Sequence, residues 1–516
     1  MMSDRMSKQS LKLLQIAGNW FLSLCVFLLS GALLSACQGA AASGGEIPAT
    51  RIVVDLSPTE EATPLPVPTP FIARPAYQPG ELVDYIAQTG DTLPVLAVRF
   101  NTTVEEILAA NAFIPSTATT MPPGMSMRIP IYYKPLWGTP YQIIPDGLFV
   151  NGPSQVGFDT EAYVQNQPGW LKNYVSFAAG KNRSGAAIVD LVATNFSISP
   201  QLLLALLEFH TGALSSPGTP LNLGNYPLDY VSTNHQGLYP QLISAADRLN
   251  DAYYRFRVGK LVEFELLDGR FERPDPWQNA ATVALQYYFA KLYPPDKYFR
   301  AIGPDGVALN FRNLFGDPWA SDTAHLPGSL EQPPFILPFE QGKPWTYTGG
   351  PHTGWGTGMP YAALDFAPPS ERSGCFDSKD WATAVAAGVV ARTAEGVVIL
   401  DLDGDGDERT GWNVFYLHIA TEGRAAVGAV LEAGQPIGHA SCEGGTSTGS
   451  HIHIARKYNG EWISAAGTLA FNLDGWVADN GDRPYAGTLK RFSRTIIACE
   501  CSNVASQLMR DGVPPE

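Results

Sequence analysis

The chain has 516 residues, 45% hydrophobic and 16% charged, enough for about three domains of roughly 150 residues, each able to bury its own core. A formal net charge of -15 argues against nucleic acid as partner, because such binders concentrate Lys and Arg, and disfavours an anionic membrane surface for the same reason. The 50 Gly and 42 Pro favour turn-rich β structure and linkers over long helical bundles.

From the N-terminus, Arg5, Lys8 and Lys12 precede the apolar run WFLSLCVFLLSGALLSA, which ends in LSAC at Leu34 to Cys37. A basic region, a short apolar region and a small-residue cleavage site make an export signal over residues 1–37. The run's 17 residues sit near the lower limit for spanning a bilayer, and an uncleaved anchor is the competing reading. LSAC resembles the lipobox of bacterial lipoproteins, which implies lipidation of Cys37. The chain would then be held at the cell envelope, on the outer, extracytoplasmic face of the membrane, by lipid alone. Residues 38–80 hold eight prolines among Thr, Ala and Ser, with too little periodic apolar surface to fold. They read as a disordered linker reaching up to roughly 100 Å.

Residues 84–131 continue with the strand DYIAQ and the turn Thr89-Gly90-Asp91. A helix through Leu93, Leu96, Ala97 and Phe100 follows, then a second capped by Thr102 or Thr103, then the strand SMRIPI. In this βααβ pattern GDTL (Gly90 to Leu93), Ala110-Asn111 and PPGMSMRIP (Pro122 to Pro130) resemble the LysM module. The resemblance implies binding of N-acetylglucosamine glycans such as peptidoglycan or chitin, and nominates Gly90, Asp91, Thr92 and Asn111 as glycan-binding residues. Pro94 departs little, since proline is tolerated in the first helical turn.

Residues 155–330 predict an α-helical middle domain. Ser199-Pro200 is an N-cap followed by proline, and QLLLALLEFH sets Leu203, Leu206 and Leu207 on one side. SPQLLLALLEFHTG followed by GLYPQL resembles, faintly, the lysozyme-like lytic transglycosylases, which would make Glu208 a general acid that cleaves glycan. The competing reading is a helix end facing solvent.

Past a proline-rich joint near LEQPPFILPF, residues 335–495 turn to short β-prone runs that predict an antiparallel all-β domain, with 496–516 as a tail. In SHIHIA, His451 and His453 alternate with Ile452 and Ile454, so period two puts both imidazoles on one face and both isoleucines in the core. The same period predicts that Val414, Tyr416 and His418 share a face. Upstream, GGPHTGWGTGMPYAALDF separates His352 from Asp365 by thirteen positions, and its glycines forbid a helix, so a turn must fold the two together. Two imidazoles and a carboxylate give zinc three ligands and leave a position for water.

These residues in this order, with GQPIG and TSTGSHIHI between them, resemble the lysostaphin and beta-lytic zinc endopeptidases, which cleave the peptide cross-links of bacterial walls. The resemblance assigns one zinc per chain to His352, Asp365 and His453, and catalysis to His418 and His451. Many relatives place the first histidine four residues before the aspartate, where this chain has Tyr361; the thirteen-residue spacing is that of the beta-lytic branch. The implied function is an exported zinc-dependent endopeptidase of peptidoglycan cross-links and stem peptides, targeted by LysM. The alternatives are a non-catalytic wall-binding scaffold that activates other hydrolases, and a glycan-cleaving enzyme using Glu208.

Of six cysteines, Cys25 leaves with the signal and Cys37 takes lipid; Cys375, Cys442, Cys499 and Cys501 remain in an oxidising compartment, where four allow three pairings. Cys499 with Cys501 would close only a small ring, so Cys375 with Cys442 is the preferred disulfide. The run DLDGDGDERTGW matches the first half of a calcium loop over Asp401–Asp407 but has Trp412 at the twelfth place, so a solvated hairpin tip competes with a calcium site. His210, His235, His325 and His439 read as ordinary, and Trp476, Tyr485 and GTLKRF as sheet packing.

Overall fold

The computed structural model describes residues 74–511, apart from 135–136, 219–224, 322, 371 and 502. The predicted export signal over residues 1–37, its Cys37, and most of the predicted linker lie outside the described residues. No helix among the described residues is long and apolar enough to cross a membrane.

The first module pairs β1 (Glu81–Ile86) with β2 (Ser126–Ile131) in antiparallel register, Glu81 opposite Ile131, and packs α1 (Leu93–Phe100) and α2 (Val104–Ala110) on them. Thr103, not Thr102, caps α2: its hydroxyl accepts the Glu106 amide while the Glu106 carboxylate accepts the Thr103 amide. Leu96, Phe100, Ile107, Ile129 and Ile131 fill the core.

The middle region holds α3 (Thr160–Gln165), the hairpin β3 (Val175–Ala178) and β4 (Lys181–Ser184), α4 (Gly185–Phe196), α5 (Pro200–Thr211) and α6 (Leu238–Arg257). The hairpin β5 (Phe264–Glu265) and β6 (Phe271–Glu272) leads to α7 (Ala280–Ala290), α8 (Pro295–Ala301) and α9 (Val307–Phe315). The Ser199 hydroxyl caps α5 by accepting the Leu202 amide. The one-sided stripe predicted there is wider: every residue from Leu202 to Leu207 is buried, because α5 is a central helix enclosed by others.

The C-terminal region is antiparallel. It contributes β7 (Pro344–Thr353), β8 (Tyr361–Ala367), β9 (Trp381–Thr383), β10 (Gly388–Ala394), β11 (Val397–Asp401) and β12 (Trp412–Leu417). β13 (Val430–Leu431), β14 (Pro436–His439), β15 (Ile452–Tyr458) and β16 (Glu461–Trp462) follow. The end of the chain adds a four-stranded meander, β17 (Asn472–Leu473), β18 (Trp476–Asp479), β19 (Thr488–Arg491) and β20 (Arg494–Ile497), then β21 (Gln507–Met509). The main sheet runs β13-β10-β11-β12-β15-β8-β7-β21, with β16 beside β15.

Separate cores were expected, but the main sheet shares one with the helices. Its one face, with Leu364, Phe366, Val414, Tyr416, Ile452 and Ile454, packs on the C-terminal region's own elements. Its other face offers Ala363, Ile399, Phe415, Leu417 and Ala455, which join Phe196, Leu242 and Tyr254 of the helices in a continuous core. A sheet with two apolar faces needs two covering layers, and the helical region supplies the second.

Candidate metal centre

Within that sheet His453 on β15 stands directly opposite Asp365 on β8. Paired residues of an antiparallel ladder share a face, so register alone puts an imidazole beside a carboxylate. β7 brings the third group by an irregular pairing between Tyr347 and Thr353 that leaves His352 opposite Ala363. The bend needs glycine: a Cβ at Gly350, whose φ is +126°, would lie 2.8 Å from the Ala363 carbonyl. His352 Nε2 then lies 2.8 Å, and His453 Nδ1 3.4 Å, from Asp365 Oδ1. The three ligand atoms fall within 4.8 Å of one another and all three residues are buried.

Hydrogen-bond partners decide which nitrogens face the centre. His453 Nε2 lies 3.0 Å from the Gly354 carbonyl, which can only accept, so Nε2 carries the proton and the Nδ1 lone pair faces Asp365. Burial lowers the His453 pKa against the opposing pull of Asp365. Burial alone would raise the Asp365 carboxyl, but the surrounding imidazoles, His352 first and then His453 and His451, hold it well below the usual range. A carboxylate oxygen and a lone pair at 3.4 Å repel unless a cation lies between them. His352 Nε2 and Asp365 Oδ1, although close, likewise form no hydrogen bond. Two imidazole nitrogens and one carboxylate oxygen aimed at one point fit the donor set of a zinc ion with an open fourth position.

His418 reaches the centre by a route its spacing did not predict. Val414 and Tyr416 are buried in the core on the opposite face. β12 stops at Leu417, and a left-handed φ of 64° turns the His418 ring to a centroid distance of 4.5 Å from His451 and 6.4 Å from His453. Its Nδ1 is held by the Glu443 carbonyl at 2.9 Å, which leaves Nε2 as acceptor. Burial, and then the neighbouring His451, push its pKa down to about 4. His451 Nδ1 is held by the Gly449 carbonyl at 2.8 Å and lies 3.2 Å from Ser447 Oγ, while its Nε2 is 3.7 Å from Asp365 Oδ2.

One residue at the centre was misread from the sequence. Tyr485, assigned to sheet packing, stacks on His352 at 4.0 Å between centroids and 16° between planes. Its only local signal is a turn, DRPYAG, remote in sequence from every histidine. Cys375 and Cys442 form a disulfide with Cα atoms 5.7 Å apart, across from the loop that carries His451. Cys499 and Cys501 are also joined, closing the small ring that the preferred pairing left open.

Other nominated residues have different roles. Asp91 is buried, accepts from the Tyr85 hydroxyl at 2.5 Å and the Gln88 amide at 2.8 Å, and pairs with Arg99 at 2.8 Å. Asn111, also buried, donates to the Ile107 and Arg128 carbonyls at 2.7 Å and accepts the Arg128 amide at 2.9 Å. Both therefore hold the module together from within; Gly90 is covered by Arg257 and Leu326, and Thr92 is half-buried. Glu208 accepts the Leu214 and Ser215 amides at 2.7 and 3.2 Å, closing the loop after α5. Asp401, Asp403 and Asp405 group closely enough for a cation, but Asp407 turns away to Arg409 at 2.6 Å. His325, taken as ordinary, lies 2.6 Å from Glu461, which also accepts from the Tyr253 hydroxyl and Arg257.

Residues 142–328 match the family described as "LasA, N-terminal domain", where the sequence suggested a lysozyme-like scaffold, and residues 85–130 match the LysM domain. Protease LasA of Pseudomonas aeruginosa is 27% identical over 344 residues, 62% of this chain and 75% of that protein. The beta-lytic metalloendopeptidase of Lysobacter enzymogenes is 29% identical over 161 residues, 31% of this chain and 86% of that one. A solved structure, "A Novel M23 Metalloprotease Pseudoalterin from Deep-sea", is 26% identical, with 34% of this chain and 98% of that chain covered and a TM-score of 0.28. Two stretches of the chain thus match the LysM and LasA N-terminal domain families, and the chain is similar to protease LasA and to the beta-lytic metalloendopeptidases.

Proposed function

We propose that this chain is a zinc-dependent endopeptidase of peptidoglycan peptides, exported, held at the outer face of the membrane through lipidated Cys37, and directed to the wall by its LysM module. The observation that carries the chemistry is the convergence of buried His352, Asp365 and His453, each offering one ligand atom, with those atoms within 4.8 Å of one another. Those three residues would hold the ion, which when bound polarises a peptide carbonyl and acidifies a water. His418, neutral near pH 7 with Nε2 free, accepts a proton at that atom. His451, fixed through Nδ1, aims Nε2 at the same space and is placed to steady developing charge and return a proton to the leaving amine. Two disulfides support an oxidising, extracytoplasmic location.

The rival readings lose ground here. Glu208 is engaged by two backbone amides, which suits loop closure over acid catalysis. A scaffold that only activates other hydrolases needs none of the five converging groups. The test is incubation of the zinc-loaded chain with peptidoglycan, followed by analysis of new chain ends. New amino termini are expected, together with one zinc per chain that Asp365→Ala abolishes. Anhydro-sugar ends would point to Glu208, and no new ends to a scaffold.

A further inference from the structure

The segment Leu326-Pro327-Gly328-Ser329-Leu330, which leads from the helical region into the sheet, lies in a groove between the two loops of the LysM module. Thr89 Oγ1 accepts the Leu326 amide at 2.9 Å. Thr120 Oγ1 donates to the Pro327 carbonyl at 2.7 Å and accepts the Leu330 amide at 2.9 Å. Thr119 Oγ1 donates to the Leu330 carbonyl at 2.7 Å, and the Ser329 amide donates to the Thr120 carbonyl at 2.8 Å. Gly328 fits because it has no side chain: a Cβ there would lie 2.5 Å from Pro122 Cγ. Leu326 and Leu330 also pack with Ile463, just beyond β16.

These contacts have the form of ligand recognition. Three threonine hydroxyls from two loops take the amides and carbonyls of a turn in which Ser329 has a left-handed φ of 52°, and hydroxyls can donate to one group and accept from another. An N-acetylated sugar polymer presents the same amide and carbonyl pair on each acetamido group. Leu326 also stands over Gly90, one of the residues nominated for glycan binding, 2.9 Å from where a Cβ would be. In this state the face is closed by the chain itself.

We propose that segment 326–330 is an internal ligand of the LysM module, which an N-acetylated glycan must displace to bind. The proposal rests on the glycan-binding reading of that module. It adds that the wall competes with a strap anchored on the sheet that carries the metal centre, so that glycan occupancy frees the module from the sheet region. Occupancy of an internal site lowers apparent affinity by the fraction of molecules in which the groove is free.

The test uses the full chain and the hexamer of N-acetylglucosamine. Gly328→Ala pushes the strap off Pro122 while keeping Thr89, Thr119 and Thr120, and is expected to bind the hexamer at least fivefold tighter than wild type. In the wild type, without any variant, the Ser329 and Leu330 amides are expected to exchange with solvent faster when the hexamer is saturating. Hexamer binding with no gain in exchange at those amides overturns the internal ligand and leaves the glycan reading standing. No hexamer binding by either protein overturns both.

Discussion

Asp247 Oδ1 accepts the Thr357 amide at 2.7 Å, and one helical turn later Asp251 Oδ1 accepts the Met359 amide at 3.0 Å, so α6 grips the glycine turn between β7 and β8. Close approach is possible because Gly356 and Gly358 have no side chains; a Cβ at either would lie 2.3 and 2.6 Å from those same carboxylate oxygens. The same turn contains Gly354, whose carbonyl orients His453. Removing both acceptors, by Asp247→Ala with Asp251→Ala, deletes two hydrogen bonds at the edge of solvent and costs about 0.5–1.5 kcal/mol each. Thermal unfolding should show a midpoint lower by several degrees, and peptide hydrolysis should fall although no metal ligand has changed. An unchanged midpoint would mean the turn holds itself.

His418 and Asp365 should separate catalysis from metal binding. His418→Ala keeps His352, Asp365 and His453 and should retain one zinc per chain while kcat falls by about 10²–10⁴, the usual contribution of a positioned acid or base. Asp365→Ala should lose both. Metal analysis alongside turnover checks the pair, and a His418→Ala protein without zinc would move His418 among the ligands.

The Glu461 carboxylate joins the sheet to the helices. Burial would raise its pKa, but Arg257 and His325 hold it at about 2, below its ordinary value near 4.5. A depressed acid stabilises the fold at pH above its unfolded pKa and loses that stabilisation as pH falls through the unfolded value toward the folded one. The window is therefore about pH 4.5 down to 2, with roughly 3 kcal/mol at stake. Glu461→Gln leaves Arg257 with a buried charge less well paired and should cost about 3–5 kcal/mol at neutral pH. Denaturant titrations between pH 2 and 7 check both, and Glu461→Gln should flatten the acid limb.

The Cys375–Cys442 disulfide closes 67 residues of chain. In the chain-entropy account such a loop contributes about 4 kcal/mol. Cys375→Ser with Cys442→Ser should lower stability by that order, and should loosen Ser450, whose amide donates to the Gly374 carbonyl at 3.2 Å beside His451. Chemical denaturation measures the first effect and KM against kcat the second.

Much of the centre was legible in the residues because period two is a local rule: His453 must alternate with Ile452 and Ile454, and the glycines after His352 admit no helix. The βααβ module was legible for the same reason, its caps and apolar spacing being local. What the sequence could not decide is set by contacts between distant segments. The left-handed turn at His418 overrides its strand alternation, Tyr485 reaches His352 from the far end of the chain, and Asp91 and Asn111 spend their hydrogen bonds inside the module. Nor does any local pattern announce that the helices and the sheet share one core, since an apolar strand reads alike whether its covering layer comes from its own domain or from a neighbour. By itself the sequence determined which residues can bind a metal; the tertiary structure decided which atoms of them face it, and what else presses on the same turn.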